Sequence, residues 1–413
     1  MTLRRRRLDG QLSSPQSVST SGSEAIGYEW IDNQDAFNDL VSLALPAKRI
    51  AVDTEFHRER TYWPRVALLQ IAIEENIFLV DPLEVDLEPL SAVLDSDVIW
   101  VMHASSQDLE VLERACGVIP RYLFDTQIAA GFVGMSTPSL ASLVERYVGH
   151  RLPKGDRLTD WFERPLRPTQ RDYAASDVRY LFDLHDRLIA DLEQRGRLTW
   201  ATNESDPRNW YTKPTLPVEL AWTRIKEARH LRGQARCVAS VLAEWRERTA
   251  QNKDLPTRFI LSDLALVGVA QRAPKNSQYL KGVRGLDGRY MKDRAAEEIL
   301  SVVADGLIRA SEDVPTLGIE EGPKLDKELR AAVSLVSAWV SQVAKDEALD
   351  PALLATRADI IDLLRGSEKA RLSEGWRADL VGSRIQDLVT GRAAVAFDPR
   401  GGLVLEPRFQ REN

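Results

Sequence analysis

The stretch from Arg49 to Ile73, in which two carboxylates lie close together within an apolar run, most constrains what the chain can fold into. Asp53 and Glu55 lie two residues apart in the segment RIAVDTEFH. Because side chains alternate between the faces of a strand, both carboxylates project to the same side. Like charges this close raise each other's pKa, so a functional pair needs a counter-charge such as a metal ion. The alternative is a strand end that meets solvent.

The segments around this run predict an α/β domain. Three strand-like runs, Arg49–Phe56, Val66–Ile73 and Ile77–Val80, follow one another closely, as in an antiparallel meander. Helical and strand-like segments then alternate, which predicts an α/β architecture with a mixed sheet of five strands. The other predicted elements are helices at Asp35–Leu45, Leu87–Leu94, Gln107–Cys116, Thr126–Phe132 and Leu140–Val148, and strands at Val98–Met102 and Tyr122–Phe124.

One long helix is predicted from Thr169 to about Arg195. Thr169 with Asp172 three residues later is similar to a capping box. Leucines at helical spacing between Leu181 and Leu192 form its apolar stripe. The helix therefore contributes a large surface to the core of the α/β domain.

Composition divides the chain into segments. The N-terminus is rich in Ser, Thr, Gly and Gln, which predicts disorder, and no apolar segment follows its four arginines as in a secretory signal. Two proline-containing stretches predict linkers. The predicted segments are a disordered tail at 1–24, the α/β domain at 25–205, linkers at 206–217 and 307–323, and small helical domains at 218–306 and 324–413. Near the end, Val395–Phe397 and Leu403–Leu405 are spaced to pair as a hairpin.

Charge and cysteine content exclude several classes of protein. The formal net charge of −7 predicts solubility and no general affinity for nucleic acid, although it can hide a local basic patch. Two distant cysteines, Cys116 and Cys237, do not support a disulfide framework or a zinc cluster, and a reducing cytoplasm is the simplest setting. No apolar run approaches the roughly 18–20 residues that span a bilayer. A cytoplasmic protein without a membrane partner is expected.

Three further residues extend the carboxylate pair. Asp108 starts the helix after strand Val98–Met102, at the carboxyl end of a strand, where α/β proteins usually place their sites. Taken alone, Asp108 is better explained as an acid that the helix macrodipole favours at a helix N-terminus. Tyr173 and Asp177 share one face of the long helix and, taken alone, are an exposed pair.

Together these residues predict a metal centre. Asp53, Glu55, Asp108 and Asp177 supply four carboxylates from three elements, the ligand type that two divalent ions such as Mg²⁺ or Mn²⁺ require. Two such ions about 3.5–4 Å apart can activate a water and stabilise the leaving oxygen of a phosphodiester. A nearby tyrosine hydroxyl can orient that water. The pattern indicates metal-dependent phosphodiester hydrolysis.

The chain resembles the ribonuclease D family, in the tyrosine-containing branch of the DEDD superfamily of 3′→5′ exonucleases. The resemblance covers most of residues 28–200, and its motifs in this order are highly specific. The residues that carry it are VDTEF at Val52–Phe56 with YWPRVALLQIA after it, VMHASSQDLE at Val101–Glu110, LTDWFERPL at Leu158–Leu166 and YAASDVRYL at Tyr173–Leu181.

The resemblance implies an RNase H-like domain that releases nucleoside 5′-monophosphates, with trimming of tRNA precursors and other structured RNAs as its expected role. It implies that Asp53, Glu55 and Asp177 hold one metal ion, that Asp53 and Asp108 hold the second, and that Tyr173 orients or helps deprotonate the attacking water. Substrate contacts are expected from Thr54, Phe56, His103, Gln107 and Lys154. A lone His at a strand end, such as His103, is more often structural than a substrate contact. Phe56 packs or wedges near the terminal base, and Lys154 is either a phosphate contact or a solvated lysine.

The helical segment after the first linker is the basic part of the chain. Residues 222–258 carry nine Lys or Arg against four acids, and residues 272–294 carry seven against two. WTRIKEAR at 222–229, LPTRFILSD at 255–263 and GVRGLDGRY at 282–290 resemble an HRDC domain, the module shared by helicases and ribonuclease D. This implies auxiliary nucleic-acid contacts, for which Lys226, Arg229, Lys281 and Arg284 are the candidates. Solvated helix faces are the alternative.

The region from Asp313 onward has fourteen basic and seventeen acidic residues. It is similar to a degenerate second HRDC copy, so the fold expected after the exonuclease domain is two small all-α HRDC-type domains. Packing against the catalytic domain is as compatible with its composition as RNA contact is.

Two other functions remain open. A DNA-directed 3′→5′ exonuclease would use the same four acids, since no 2′-hydroxyl contact can be identified. A non-catalytic RNA-binding protein would more readily have lost one of them. RNA is the expected partner, and no obligate protein partner is indicated.

Overall fold

The structure is a computed structural model that describes residues 27–152, 159–212, 216–286, 288–291, 294–316, 327–367 and 369–408. The predicted tail at 1–24 and the candidate substrate residue Lys154 lie outside these ranges. So do parts of both predicted linkers. Among the described residues, no helix is long and apolar enough to cross a membrane.

A six-stranded mixed sheet forms the centre of the first domain. Its order is β1-β4-β3-β2-β5-β6, with β2 antiparallel to β3 and parallel to β5. The strands are β1 Glu29–Ile31, β2 Arg49–His57, β3 Arg65–Ile73, β4 Asn76–Val80, β5 Ile99–Met102 and β6 Tyr122–Asp125. The mixed sheet is confirmed, but the predicted count of five is wrong. The extra strand is the three-residue β1, which pairs in parallel with β4 and is too short to show an alternating pattern.

Helices cover both faces of this sheet. One face packs against the first three helices, α1 Gln34–Ala44, α2 Ser91–Leu94 and α3 Ser106–Cys116. The other face packs against α4 Thr126–Gly131, α5 Leu140–Leu143, α6 Pro168–Arg179, α7 Leu181–Gln194 and α8 Leu198–Ser205. Along β2 the two faces alternate, because Val52 packs with the α3 layer and Ala51 with the α6 layer.

The predicted helix from Thr169 to Arg195 is two helices. Tyr180 has φ −107° and ψ 4°, outside helical values, so α6 ends at Arg179 and α7 begins at Leu181. The start also differs from the predicted capping box: the helix begins at Pro168, and the backbone N–H of Arg167 donates to Oε1 of Gln170 at 3.0 Å. The apolar stripe continues across the break, which is why periodicity alone does not show it.

The middle helical domain, residues 216–316, has its own core. Its helices are α9 Gly233–Lys253, α10 Thr257–Ile260, α11 Asp263–Arg272, α12 Ser277–Lys281 and α13 Ala295–Ile308. The 21-residue α9 is the central element, and Val238 and Leu242 on it are fully buried in the cluster that holds the domain together.

This domain is bound to the loop that follows β2, residues 58–64. The hydroxyl of Tyr62 donates to Oε1 of Glu247 at 2.6 Å, and the backbone N–H of Trp63 donates to Oδ1 of Asp254 at 3.1 Å. The guanidinium of Arg258 donates to the backbone carbonyl of Glu59 at 2.8 Å. The loop that follows the strand of Asp53 and Glu55 is therefore hydrogen-bonded to the middle domain.

The last segment, residues 327–408, combines helices with a hairpin. Its elements are α14 Lys327–Asp346, α15 Pro351–Leu354, α16 Arg357–Leu364, α17 Gly375–Arg377, α18 Ser383–Val389, β7 Ala393–Phe397 and β8 Leu403–Pro407. The hairpin is confirmed, since β7 and β8 pair antiparallel. The expectation of an entirely helical last domain is therefore wrong.

The last segment shares a core with the first domain. One continuous cluster joins its Val336 and Trp339 to Ala174 and Leu184 of the first domain. The ring of Trp376 stacks on Trp200 with centroids 5.1 Å apart and meets Phe132 edge to face at 5.3 Å. Ion pairs join Arg197 to Glu347 at 2.9 Å and Arg377 to Glu204 at 2.6 Å. Packing against the first domain is thus observed for this segment.

Candidate active site

Strand β2 presents its carboxylates to the layer between the sheet and α6. Asp53 and Glu55 alternate with Val52 and Thr54, and Val52 lies in the α3 layer, so the two acids project to the α6 face. The register of β2 against β3 shifts between Glu55 and Phe56, and the pairing then continues to His57. The common orientation predicted from the D-x-E spacing therefore holds.

Helix α6 adds the third carboxylate. Ligand oxygens of Asp53, Glu55 and Asp177 all lie within 4.8 Å of one another, and each residue is partly buried. Tyr173 is one turn before Asp177 on the same helix and is also partly buried. The indole of Trp161 is buried at a centroid distance of 6.1 Å from the Tyr173 ring. The structure thus brings Tyr173, Asp177 and the acids of β2 to one place.

Asp108 approaches from the other layer. It lies in the first turn of α3, immediately after β5, and its side chain is buried. The hydroxyl of Thr54 donates to Oδ1 of Asp108 at 2.5 Å. Asp108 is not one of the three mutually close carboxylates, but its charge is the largest carboxylate influence on the pKa of Asp53. Thr54, predicted to contact substrate, is buried and uses its hydroxyl on Asp108.

The electrostatics of the cluster call for a cation. Burial raises the pKa of Asp53 well above its usual range, and the neighbouring charges of Asp108, Asp177 and Glu55 raise it further. Burial also raises the pKa of Asp108 to about 7, although the hydrogen bond from Thr54 lowers it. Ionised together, these groups repel one another unless a positive charge lies between them. Carboxylate oxygens are the donors that hard divalent cations prefer, so the residues fit a divalent metal ion.

Asp125 supports the loop that leads into α3, the helix that carries Asp108, and the sequence analysis missed it. Its carboxylate accepts from the backbone N–H of Ala104 at 3.1 Å and of Ser105 at 2.8 Å, and from the Ser105 hydroxyl at 2.8 Å. It also caps α4 by accepting from the backbone N–H of Gln127 at 2.8 Å. The signal was present, since an Asp directly before a predicted helix is an N-cap pattern.

The other predicted substrate residues are dispersed around this centre. His103 contacts the hydroxyl of Thr126 through Nδ1 at 2.9 Å, which ties it to the fold. Gln107 is exposed next to Asp108. Phe56 packs partly into the α3 layer, and the guanidinium of Arg58 lies 5.5 Å above its ring. Lys154 lies outside the described residues.

The predicted auxiliary contacts all lie on the surface of the middle domain. Lys226 and Arg229 are exposed on the segment before α9, and Lys281 and Arg284 are exposed at and after the end of α12. Their exposure is the property that a phosphate contact requires.

Comparison with known proteins identifies two modules in this chain. A family model described as 3′-5′ exonuclease matches residues 28–193, and the HRDC domain model matches residues 236–303. The chain is 36% identical over 361 residues to ribonuclease D of Sphingobium indicum, with 84% of this chain and 90% of that protein covered. It is 33% identical over 376 residues to ribonuclease D of Escherichia coli, with 88% and 99% covered.

The solved structures agree with these sequence matches. This chain is similar to the crystal structure of Escherichia coli RNase D, with a TM-score of 0.76 and 31% sequence identity over 88% of this chain and 99% of that chain. That enzyme is described as an exoribonuclease involved in structured RNA processing. The resemblance stated from the motifs is confirmed. With its exonuclease domain and its carboxylate cluster, this chain belongs to the ribonuclease D family and is a 3′→5′ exoribonuclease.

Proposed function

We propose that the protein shortens structured RNAs, tRNA precursors among them, by removing nucleoside 5′-monophosphates one at a time from the 3′ end. The observation that carries this proposal is the carboxylate cluster, in which oxygens of Asp53, Glu55 and Asp177 lie within 4.8 Å of one another. Asp108 adds a fourth carboxylate beside Asp53. A similar enzyme from Escherichia coli is described as acting in structured RNA processing, which favours RNA over DNA.

In this proposal the cluster holds two divalent ions, Mg²⁺ or Mn²⁺. Bound there, such ions supply water activation and stabilisation of the leaving oxygen. Asp53, Glu55 and Asp177 hold one ion, and Asp53 together with Asp108 holds the other. Asp53 is then shared by both, so its loss is the most damaging single change.

Tyr173 has a separate role in this proposal. Tyr173 lies one helical turn before Asp177 on α6, and its hydroxyl orients the attacking water. The buried indole of Trp161 lies near the Tyr173 ring and restricts where that ring can move. Replacing Tyr173 by Phe removes the hydroxyl and keeps the ring, so it separates catalysis from metal binding.

We propose that the middle domain binds the RNA backbone. The exposed cations Lys226, Arg229, Lys281 and Arg284 then contact phosphates, with Gln107 and Phe56 nearer the 3′ end. Binding that depends on such contacts weakens as salt is raised. We expect no obligate protein partner for this activity, and two free, buried cysteines suit a reducing cytoplasm.

We retain the predicted division into a catalytic domain at 25–205, an HRDC domain at 218–306 and a degenerate second HRDC-like domain at 324–413, with linkers at 206–217 and 307–323. The separate core of the middle domain supports a distinct domain here, and because that core includes Val314 it extends beyond the predicted end at 306. The core shared by the last segment and the catalytic domain supports a packing role for that segment.

A nuclease assay tests the proposal. The wild type and an Asp53→Ala, Asp177→Ala double variant are incubated with matched 3′-extended RNA and DNA strands, with Mg²⁺, with Mn²⁺ or with chelator. Stepwise 3′ shortening of RNA is expected for the wild type only, and only with metal. Asp172→Ala removes an exposed carboxylate from the same helix and is the matched control. Undiminished cleavage by the double variant contradicts the mechanism, and a strong preference for DNA supports the DNA-directed alternative.

A further inference from the structure

Gln70 is a polar residue in the centre of an otherwise apolar strand. It lies in the middle of β3, where its neighbours Leu69 and Ile71 are fully buried, and its own side chain is 0% exposed. Within the described residues, neither its amide nitrogen Nε2 nor its amide oxygen Oε1 has a hydrogen-bond partner. A buried amide without partners disfavours folding, and an apolar side chain of the same size avoids that cost.

The position of Gln70 places this amide beside the carboxylate cluster. Gln70 is the cross-strand partner of Asp53 in the antiparallel pair of β2 and β3. Side chains directly opposite each other in such a pair share a face, with Cβ atoms about 4.5–5.5 Å apart. The next residues on that face of β3, Leu68 and Ala72, pack in the same cluster as Ala174 of α6. The amide is therefore enclosed between the sheet and α6, next to Asp53.

We propose that Gln70 is a positioning residue for Asp53, whose carboxylate accepts a hydrogen bond from Nε2 of Gln70 when it binds a metal ion. The inference rests on the proposed function of the cluster. A metal-binding carboxylate has lone pairs to spare, and a donor that uses one of them fixes the direction of the other. An amide does this without the positive charge of Lys or Arg, which would repel the metal ion.

The substitution Gln70→Met tests the role of the amide, because methionine fills a similar volume without a donor. Mutation of a residue that hydrogen-bonds to a metal ligand typically lowers metal affinity by about 10–100-fold. Gln70→Met is therefore expected to weaken Mn²⁺ binding by that factor, as measured by titration calorimetry without RNA. Turnover at low metal concentration falls in parallel. In chelator, the melting temperature of Gln70→Met equals or exceeds that of the wild type. Leu68→Met, in the same layer, is the packing control and leaves Mn²⁺ affinity unchanged.

A second substitution separates the donor from the shape of the side chain. Gln70→His keeps an N–H donor in a side chain of similar size and is expected to bind Mn²⁺ more tightly than Gln70→Met. Equal affinity of Gln70→Met and the wild type overturns the inference, as does equal weakness of Gln70→His and Gln70→Met. Unfolding of Gln70→Met in chelator also overturns it, because the fold itself would then need the amide. A wild type that neither binds Mn²⁺ nor shortens RNA refutes the proposed function instead.

Discussion

Burial raises the pKa of Asp108 and the hydrogen bond from the Thr54 hydroxyl lowers it, and Thr54→Val measures how strongly the hydroxyl acts. The hydroxyl donates to Oδ1 of Asp108 at 2.5 Å, and the pKa of that buried carboxyl is raised to about 7 even with this bond in place. A hydrogen bond to a charged group contributes about 1.5–3 kcal/mol. At 1.36 kcal/mol per pKa unit, its loss raises the pKa of Asp108 by roughly one to two units.

The expected result is an enzyme with a shifted pH profile. At pH 7 the ionised fraction of Asp108 falls from about one half to between roughly 1% and 10%, since the pKa moves to about 8–9. Metal ligands must be deprotonated, so metal affinity at pH 7 falls about five- to fifty-fold. The assay is kcat/KM on a 3′-extended RNA across pH 5.5–9.5 at subsaturating Mn²⁺, where the acid limb reports the free enzyme.

Thr54→Ser keeps the hydroxyl and serves as the control, with an acid limb at the wild-type position. Activity of Thr54→Val recovers towards the wild-type value near pH 9.5, because Asp108 is then ionised in both proteins. An acid limb that stays at the wild-type pH in Thr54→Val would refute the assignment. A uniform loss at all pH values would instead point to direct substrate contact by Thr54.

Three other predictions concern charge and packing. Asp53→Asn abolishes metal-dependent RNA shortening but raises the melting temperature in chelator, because it removes one of several carboxylates that repel one another. A lower melting temperature would contradict the repulsion between these carboxylates. Without metal, the wild type loses stability as pH rises from about 4 to above 7, since the pKa values of Asp53 and Asp108 are raised in the folded state and ionisation then disfavours it. Mg²⁺ therefore raises the melting temperature more at pH 8 than at pH 6, and an equal rise at both values would contradict the linkage. Trp376→Ala destabilises the protein by about 3–5 kcal/mol in urea unfolding, because it removes a buried ring that contacts Phe132 and Trp200; a change below 1 kcal/mol would show that this contact is dispensable.

The periodicity of the sequence predicts how side chains are oriented within a single strand or a single helix. The common direction of Asp53 and Glu55 follows from the two-residue period of a strand, and the pairing of Tyr173 with Asp177 follows from the helical turn. The convergence of these elements is a long-range property. It could be expected only because several motifs in the right order resemble a known family.

Other features could not be seen in the sequence because they depend on pairing or on a single backbone angle. The apolar spacing around Tyr180 is continuous, yet its backbone leaves the helical region and divides the helix. Gln70 resembles an ordinary polar interruption of a strand until the register sets it opposite Asp53. Thr54 looks like a substrate contact until α3 brings Asp108 to its hydroxyl.

The first domain and the last segment share one apolar core, although the middle domain separates them in the sequence. Residues 327–408 complete the cluster that α6 and α7 begin, whereas the middle domain buries its own apolar residues separately. The middle domain therefore lies in the chain between two parts of one apolar core, and we expect that core to be complete only after the C-terminal part has been synthesised. A chain cut after the middle domain would leave the apolar surface around Phe132 and Trp200 exposed. The first domain, which carries the carboxylates, is therefore expected to depend for its stability on residues from Val333 onward, beyond the whole middle domain.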